Sequence, residues 1–178
     1  MITVNSKSFQ DAVKRSVRFV NSKSALGILH GAKITISGND GWIATTNLEI
    51  YYKTRFEVSS DEKYNVVISD IKSLQKMIAS FDKPIEISTV PGDGTGEKPD
   101  KVSFKSGGKS VAQSFCSVDD YPCELDVKDF QWNFPVDMKT FNVLYKKISK
   151  SQYQYDDRPM MRGFKQSKGK LLATNGFV

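Results

Sequence analysis

The sequence contains few of the residues that catalysis and metal binding most often need. It has one histidine, His30, and two cysteines among 178 residues. No cysteine or histidine cluster has the spacing of a metal site, and a lone histidine is more often structural than catalytic. The glycine-rich stretch at 92–96 lacks the lysine and the following helix of a phosphate-binding loop. We therefore expect no active site, no metal and no cofactor.

Long apolar runs are also absent. No run reaches the length of a membrane span, and the N-terminus lacks the apolar stretch of a signal peptide. We expect a cytoplasmic protein with no membrane partner, in which Cys116 and Cys123 are free thiols. The 26 Lys+Arg against 20 Asp+Glu give a net charge of +6, which alone suits nucleic acid, an anionic membrane surface or neither.

Apolar periodicity predicts an α+β unit over residues 1–125. Strands are predicted at 2–4, 32–36, 42–46, 49–58, 64–68, 85–90, 102–105 and 110–115. Two helices have apolar stripes at helical spacing, one from about Phe9 to Val20 and one at about 69–81. Ser6 or Ser8 is the expected N-cap of the first helix, and Asn39-Asp40-Gly41 the first hairpin turn.

The pattern starts again near residue 130, with a predicted strand at 132–134 and a helix that Asp137 caps. Its apolar stripe consists of Met138, Phe141, Leu144 and Ile148. Phe9 lies 22 residues before Gly31, and Phe141 lies 22 residues before Gly163. Each glycine opens a strand, and a turn and a strand with Ala-Thr follow.

This repeat predicts a complete first domain at 1–125 and the start of a second domain at 126–178. We expect the chain to be a fragment of a longer protein, because an open sheet edge and an uncovered apolar face are unfavourable.

Positive charge repeats together with the fold. The first helix carries basic residues away from its apolar stripe: Lys7, Lys14, Arg15 and Arg18. Adding 132 to these positions gives Lys139, Lys146, Lys147 and Lys150. The second helix adds Lys72 and Lys76. Lysines on one helix are usually only solvated, whereas matched basic faces indicate one continuous positive surface. Such a surface suits the DNA backbone, and no base-reading element accompanies it.

Four segments, in their order and spacing, resemble the beta sliding clamp of bacterial DNA polymerase III. They are Ala-Leu-Gly-Ile-Leu-His-Gly at 25–31, Ala-Thr-Thr-Asn-Leu-Glu-Ile at 44–50, Asp-Asp-Tyr-Pro at 119–122 and Ala-Thr-Asn-Gly at 173–176. Gly27 stands where proline is usual in that family, and Asn47 where aspartate is usual. The resemblance implies the DNA-clamp fold, α+β, with two helices on antiparallel sheets in each domain.

The resemblance also implies a function. Clamps of this family are non-catalytic homodimeric rings that encircle double-stranded DNA, without regard to sequence, and tether the replicative polymerase for processivity. The residues that would face the DNA are Lys14, Arg15, Arg18, Lys72, Lys76, Lys146, Lys147 and Lys150, and Lys23 matches a loop position that touches DNA.

The family's peptide pocket receives DNA polymerase, the clamp loader and repair proteins. Part of its near wall would be Arg158, Met161, Thr174, Gly176 and Phe177. Phe177 and Val178 replace the usual His-Arg, and the remaining wall belongs to later domains. We therefore expect residues 1–178 alone to show no saturable binding of a clamp-binding peptide.

Two other functions remain open from the residues. One is an open, clamp-like protein-interaction module whose lysines only keep it soluble. The other is an enzyme such as a nuclease, which predicts metal-dependent cleavage. Asp119-Asp120 resembles a metal-binding pair, although a solvated turn suits that pair better.

Overall fold

The computed structural model describes residues 2–60, 62–92, 100–122, 137–155, 158–167 and 170–175. Cys123, the predicted strand at 132–134, most of the glycine-rich stretch and residues 176–178 lie outside this part. The chain divides into two compact units, Met1–Asp126 and Val127–Val178. No helix among the described residues combines the length and apolar character that crossing a bilayer requires.

The first unit contains one strand–helix–three-strand motif twice. The first motif consists of β1 (Ile2–Val4), α1 (Ser6–Ser16), β2 (Ala32–Ser37), β3 (Asp40–Thr46) and β4 (Tyr51–Glu57). The second consists of β5 (Tyr64–Ile68), α2 (Ile71–Ile78), β6 (Ile85–Val90), β7 (Lys101–Ser106) and β8 (Lys109–Cys116). Two 3-10 helices, Val17–Phe19 and Gly27–His30, follow α1. Both predicted helices and all predicted strands of this unit are therefore confirmed, with shifted ends.

The strands of the two motifs form a single sheet. The sheet order is β1-β6-β7-β8-β5-β2-β3-β4, and every pairing is antiparallel. The first strand of each motif joins the other motif's sheet. β1 pairs with β6, and β5 pairs with β2 as well as with β8 of its own motif. Each motif therefore depends on the other to complete its sheet.

The core lies between the helices and one face of the sheet. Phe9 of α1 is fully buried, with its ring centroid 5.1 Å from that of Phe56 and 5.9 Å from that of Phe104. Fully burying a phenylalanine contributes on the order of 2–3 kcal/mol. On β7, Val102 and Phe104 are buried while Lys101 and Lys105 are exposed, as strand alternation requires. The side of each helix that faces away from this core is exposed to solvent.

The predicted N-cap of α1 is wrong. Asn5 caps the helix, because its side-chain oxygen accepts the Ser8 N–H at 2.9 Å. Ser6 Oγ instead donates to the Phe81 carbonyl at 3.0 Å, and Ser8 Oγ accepts the Glu57 N–H at 3.0 Å. Both hydroxyls are engaged by distant elements, which leaves the cap position to asparagine.

Three predicted boundaries also shift. The first hairpin turn is formed by Gly38 and Asn39, with φ +60° at Gly38, and Gly41 lies inside β3 against the ring of Phe56. Asp70 caps α2, which ends at Ile78 rather than at 81. β4 begins at Tyr51 rather than at 49, because the Asn47 side chain accepts the N–H groups of residues 49 and 50.

The Asp-Asp-Tyr-Pro segment anchors the chain after β8. Tyr121 is buried, and its hydroxyl donates to the Ala44 carbonyl at 3.2 Å. Burial raises the pKa of Tyr121 to about 12. Asp119 and Asp120 are exposed on a turn, as the solvated-turn interpretation of this pair predicts.

The second unit contains α3 (Met138–Ile148), 3-10 helices at Ser149–Ser151 and Pro159–Arg162, and an antiparallel pair, β9 (Lys165–Ser167) and β10 (Lys170–Leu172). The predicted cap is confirmed, because the Asp137 side chain accepts the N–H groups of Lys139 and Thr140 at 2.8 and 3.0 Å. Hydrogen bonds, chiefly from the Thr140 hydroxyl, lower the pKa of Asp137.

The second unit repeats the start of the first. Its α-helix and both 3-10 helices begin and end 132 residues after their counterparts. Gly31 has φ −89° and ψ −172°, and Gly163 has φ −91° and ψ −169°. The predicted repeat is therefore visible in the backbone.

The apolar stripe of α3 is not buried in the way the α1 stripe is. Met138 is 68% exposed and Leu144 36% exposed. Phe141 and Tyr145 each lie with their ring centroids 5.9 Å from that of Phe164. The described part of the second unit thus holds a small aromatic cluster where the first unit has a closed core.

Candidate nucleic-acid interface

The basic face of α1 follows directly from its buried face. Phe9, Ala12, Val13 and Ser16 are buried against the sheet. Lys14 lies opposite this buried face and Arg15 at its flank, and both are exposed. They occupy the last turn of α1, where positive charge also stabilises the helix dipole. Arg18, in the 3-10 helix that follows, is exposed as well, so three cations lie close together at this end of the helix.

Helix α2 lies beside α1 on the same face of the sheet. The Gln10 side-chain amide on α1 donates to the carbonyls of Ile78 and Phe81 at 2.7 and 2.8 Å. A groove of about 230 Å³ runs between the helices, lined by Gln10, Asp11, Lys14, Gln75, Ile78 and Ala79. Lys76 is exposed on α2. The fold therefore brings Lys14, Arg15, Arg18 and Lys76, which the sequence predicts as DNA contacts, onto one two-helix layer.

Lys72 has different surroundings. Its side chain is half-buried, and its ammonium group donates to Ser22 Oγ at 2.7 Å. Ser22 belongs to the loop at residues 20–26, which we call the basic loop because it carries the exposed Lys23. Lys72 and Lys23 are thus neighbours across this loop, a proximity that the sequence does not reveal.

Within the second unit, α3 carries its cations at the equivalent positions. Lys146 and Lys147 lie in the last turn of α3, and Lys150 lies in the 3-10 helix that follows. All three are exposed. These three cations therefore lie at the positions that the 132-residue repeat predicts.

The sheet face opposite the helices has mixed charge. Lys105 on β7 lies directly across from Glu86 on β6 in the strand register. Cross-strand pairs of opposite charge offset each other locally. The helix layer, where Asp11 is the one acidic residue of α1, is the better candidate for a polyanion.

Two of the five residues predicted for the peptide pocket line a cavity in the second unit. Met161 and Thr174 line a cavity of about 860 Å³. The other lining residues are Met160, Gly163, Phe164, Lys165, Leu172 and Ala173. Arg158 is not among them, and its guanidinium lies 5.9 Å from the ring centroid of Tyr153. Gly176 and Phe177 lie outside the described residues. The sequence did not indicate that Met160, Phe164 and Leu172 also line this cavity. Met160 and Leu172 are exposed apolar side chains, which only the structure reveals.

Solved structures of bacterial beta subunits share this architecture. The DNA polymerase III beta subunit from Pseudomonas aeruginosa has a TM-score of 0.80 and 17% identity, over 99% of this chain and 47% of that one. The Thermotoga maritima beta subunit has a TM-score of 0.75 and 21% identity, over 99% and 47%. The Helicobacter pylori beta clamp, bound to a DNA ligase peptide, has a TM-score of 0.71 and 17% identity, over 92% and 43%.

The chain has the fold of the bacterial beta sliding clamp. It spans less than half the length of the solved clamps that it resembles. No family model and no curated protein matches the sequence. At these identities the likeness to beta clamps shows the fold alone, and the roles of individual residues rest on their own geometry.

Proposed function

We propose that this chain supplies DNA-facing helices of a non-catalytic sliding clamp. The whole protein would encircle double-stranded DNA as a homodimeric ring and tether a DNA polymerase. The observation that carries the proposal is the recurrence of three exposed cations at equivalent positions of two equivalent helices, Lys14, Arg15 and Arg18 on the first and Lys146, Lys147 and Lys150 on the second. A cation that only improves solubility could lie at any exposed position, so solubility alone does not explain why these positions match.

The chemistry of these faces suits DNA phosphates rather than bases. Lysine and arginine on a helix exterior attract the phosphate backbone without reading sequence, and binding releases condensed counterions. Such contacts are individually weak and interchangeable along the duplex. A ring held only by such contacts can move along DNA, because each new position offers the same phosphates.

Partner binding would use the cavity in the second unit. Its lining is mainly apolar, with Met160, Met161 and Phe164 among the contributors. Methionine-rich apolar surfaces adapt to short peptides. We propose that peptides from DNA polymerase, the clamp loader and repair proteins bind here once the remaining wall of the pocket is present. Phe177 and Val178, in place of His-Arg, would alter which peptides fit.

A protein-interaction module without DNA binding is the second candidate. The exposed apolar residues of the second unit favour it, since Met160 is 95% exposed and Met138 68% exposed. Large exposed apolar patches often mark protein contacts. The two candidates differ in the expected role of the basic helices.

Duplex binding as a function of salt tests the proposal. We expect fluorescence anisotropy with two duplexes of unrelated sequence to give the same affinity within about twofold. The logarithm of the association constant should fall linearly with the logarithm of salt concentration between about 50 and 200 mM, with a slope of about −3 to −7 for three to eight phosphate contacts. Binding that is absent at low salt, or unchanged across this range, would favour the interaction module.

A further inference from the structure

We propose that His30 and Lys72 are positioning residues that hold the basic loop in the shape that presents Lys23 to a DNA phosphate. This inference rests on the proposed DNA binding and refines it. It reassigns Lys72 from a direct phosphate contact to a support for the loop. Lys76, four residues further along α2 and exposed, keeps its direct role.

Local hydrogen bonds first fold the loop around Lys23. The Asn21 side-chain oxygen accepts the Lys23 N–H at 3.1 Å, and the Asn21 carbonyl accepts the Ser24 N–H at 3.1 Å. Ser24 Oγ accepts the Leu26 N–H at 3.1 Å. Asparagine and serine side chains commonly stabilise turns in this way. These bonds give the turn a defined shape but do not fix it to the rest of the unit.

Two side chains from outside the loop provide that attachment. The Lys72 ammonium donates to Ser22 Oγ at 2.7 Å, from a helix that is 50 residues away in sequence. His30 Nε2 lies 3.0 Å from the Ser24 carbonyl, to which the protonated nitrogen donates. Ser22 and Ser24 are the two neighbours of Lys23. Lys23 is thus the exposed residue between two anchored residues.

Anchoring of this kind affects binding through entropy. A flexible loop loses conformational freedom when a charged side chain on it engages a phosphate, and that loss subtracts from affinity. A loop that is already held loses less. Lys72 has one of its three donors engaged by Ser22 Oγ, and a reach of its ammonium group toward a phosphate away from the loop would break this bond.

The second unit does not copy this arrangement. The positions 132 residues after Asn21, Lys23 and His30 hold Tyr153, Tyr155 and Arg162. Tyr153 and Tyr155 contact each other, with ring centroids 5.4 Å apart. The anchored cation is therefore a feature of the first unit, added to the basic helix face that both units share.

A double-mutant cycle on the full chain tests the inference. Ser22→Ala and His30→Leu each remove one anchor while leaving the number of lysines and arginines unchanged, and each is made with and without Lys23→Met. Duplex affinity and its salt dependence are measured by anisotropy. Lys23→Met should weaken binding about threefold at about 100 mM salt and reduce the salt slope by about 1. Each anchor variant should weaken binding about two- to threefold alone, and should have no further effect in the Lys23→Met background.

Conservative variants and a distant serine serve as controls. Lys72→Arg and His30→Gln keep a donor and should retain most of the wild-type affinity, and Ser110→Ala, on the exposed part of β8, should be silent. Circular dichroism checks that each variant folds. Ser22→Ala, at an exposed position, keeps the test valid if His30→Leu does not fold.

The outcomes separate the inference from the proposed function. If the anchor variants weaken binding equally in both backgrounds, or not at all, the positioning role is wrong while DNA binding stands. A silent Lys23→Met in a chain that still binds with a steep salt dependence also overturns the inference alone. If the wild-type chain shows no salt-dependent duplex binding, the proposed function fails and the inference fails with it.

Discussion

Reversing three charges on α1 should abolish measurable duplex binding at about 100 mM salt. The variant combines Lys14→Glu, Arg15→Glu and Arg18→Glu. All three side chains, two on α1 and Arg18 in the 3-10 helix after it, are exposed, so the fold should persist, and glutamate has a helix propensity close to that of lysine and arginine. Losing three phosphate contacts should cost at least about 30-fold in affinity and reduce the salt slope by about 3, and repulsion adds to this loss.

A second triple variant controls for net charge. Lys63, Lys101 and Lys105 are exposed and lie away from the helix layer. Changing these three to glutamate alters the net charge of the chain by the same amount. We expect a modest loss of affinity and an unchanged salt slope, because no direct contact is removed. If both triple variants lose the same affinity and slope, the helix face has no special role.

Substituting Gly31 should strongly destabilise the first unit. A Cβ atom on Gly31 would lie 2.1 Å from the Ile68 carbonyl oxygen, which is backbone and cannot rotate away. Residues 32 and 68 are paired in the register of β2 and β5, so relief requires these strands to separate where the two motifs join. We expect Gly31→Ala to lower the free energy of unfolding by about 3 kcal/mol, at the upper end of typical overpacking costs.

The repeat supplies the matched control. Gly163 has nearly the same backbone conformation, but among the described residues the nearest atom to its Cβ position is the Met160 carbonyl oxygen at 3.9 Å. Gly163→Ala should therefore change the free energy of unfolding by no more than about 0.5 kcal/mol, since alanine also restricts the unfolded chain. Urea unfolding followed by circular dichroism measures both. Equal effects at the two glycines would contradict the close strand contact at Gly31.

Periodicity was sufficient to predict the helices and strands of the first unit because the core is regular. Phe9, Ala12 and Val13 recur at helical spacing, and they are the residues that the sheet buries. The same spacing places Lys14 and Arg18 outside, so the basic face follows from the apolar one. The 132-residue repeat was legible because Phe9 and Gly31 recur as Phe141 and Gly163, whereas the match between the caps Asn5 and Asp137 is shown only by the structure.

The helix cap shows where local sequence is insufficient. The segment Asn-Ser-Lys-Ser occurs twice, at residues 5–8 and 21–24. In the first copy the asparagine side chain accepts an N–H three residues on and caps α1, whereas in the second it accepts an N–H two residues on and forms a turn. Identical residues adopt different structures because distant partners differ. Ser6 bonds to the Phe81 carbonyl and Ser22 bonds to Lys72.

For the candidate site, too, the sequence predicts the individual residues but not the contacts between distant elements. Exposed cations on helices could be inferred one helix at a time, but the bond between Lys72 and Ser22 joins elements that only the tertiary fold brings together. In the sequence, His30 is distinguished only as the single histidine. Its contact with Ser24 depends on the 3-10 helix at Gly27–His30, which apolar periodicity does not indicate.

Lysine footprinting on DNA tests the central claim most directly. Acetylation of the chain with and without duplex DNA, read by mass spectrometry, reports which ammonium groups the DNA covers. We expect Lys14, Lys23 and Lys76, together with Lys146, Lys147 and Lys150, to be protected. The exposed Lys63, Lys101 and Lys105 should react equally with and without DNA. Protection of those three lysines, with unchanged reactivity on the helices, would contradict a DNA-facing helix layer.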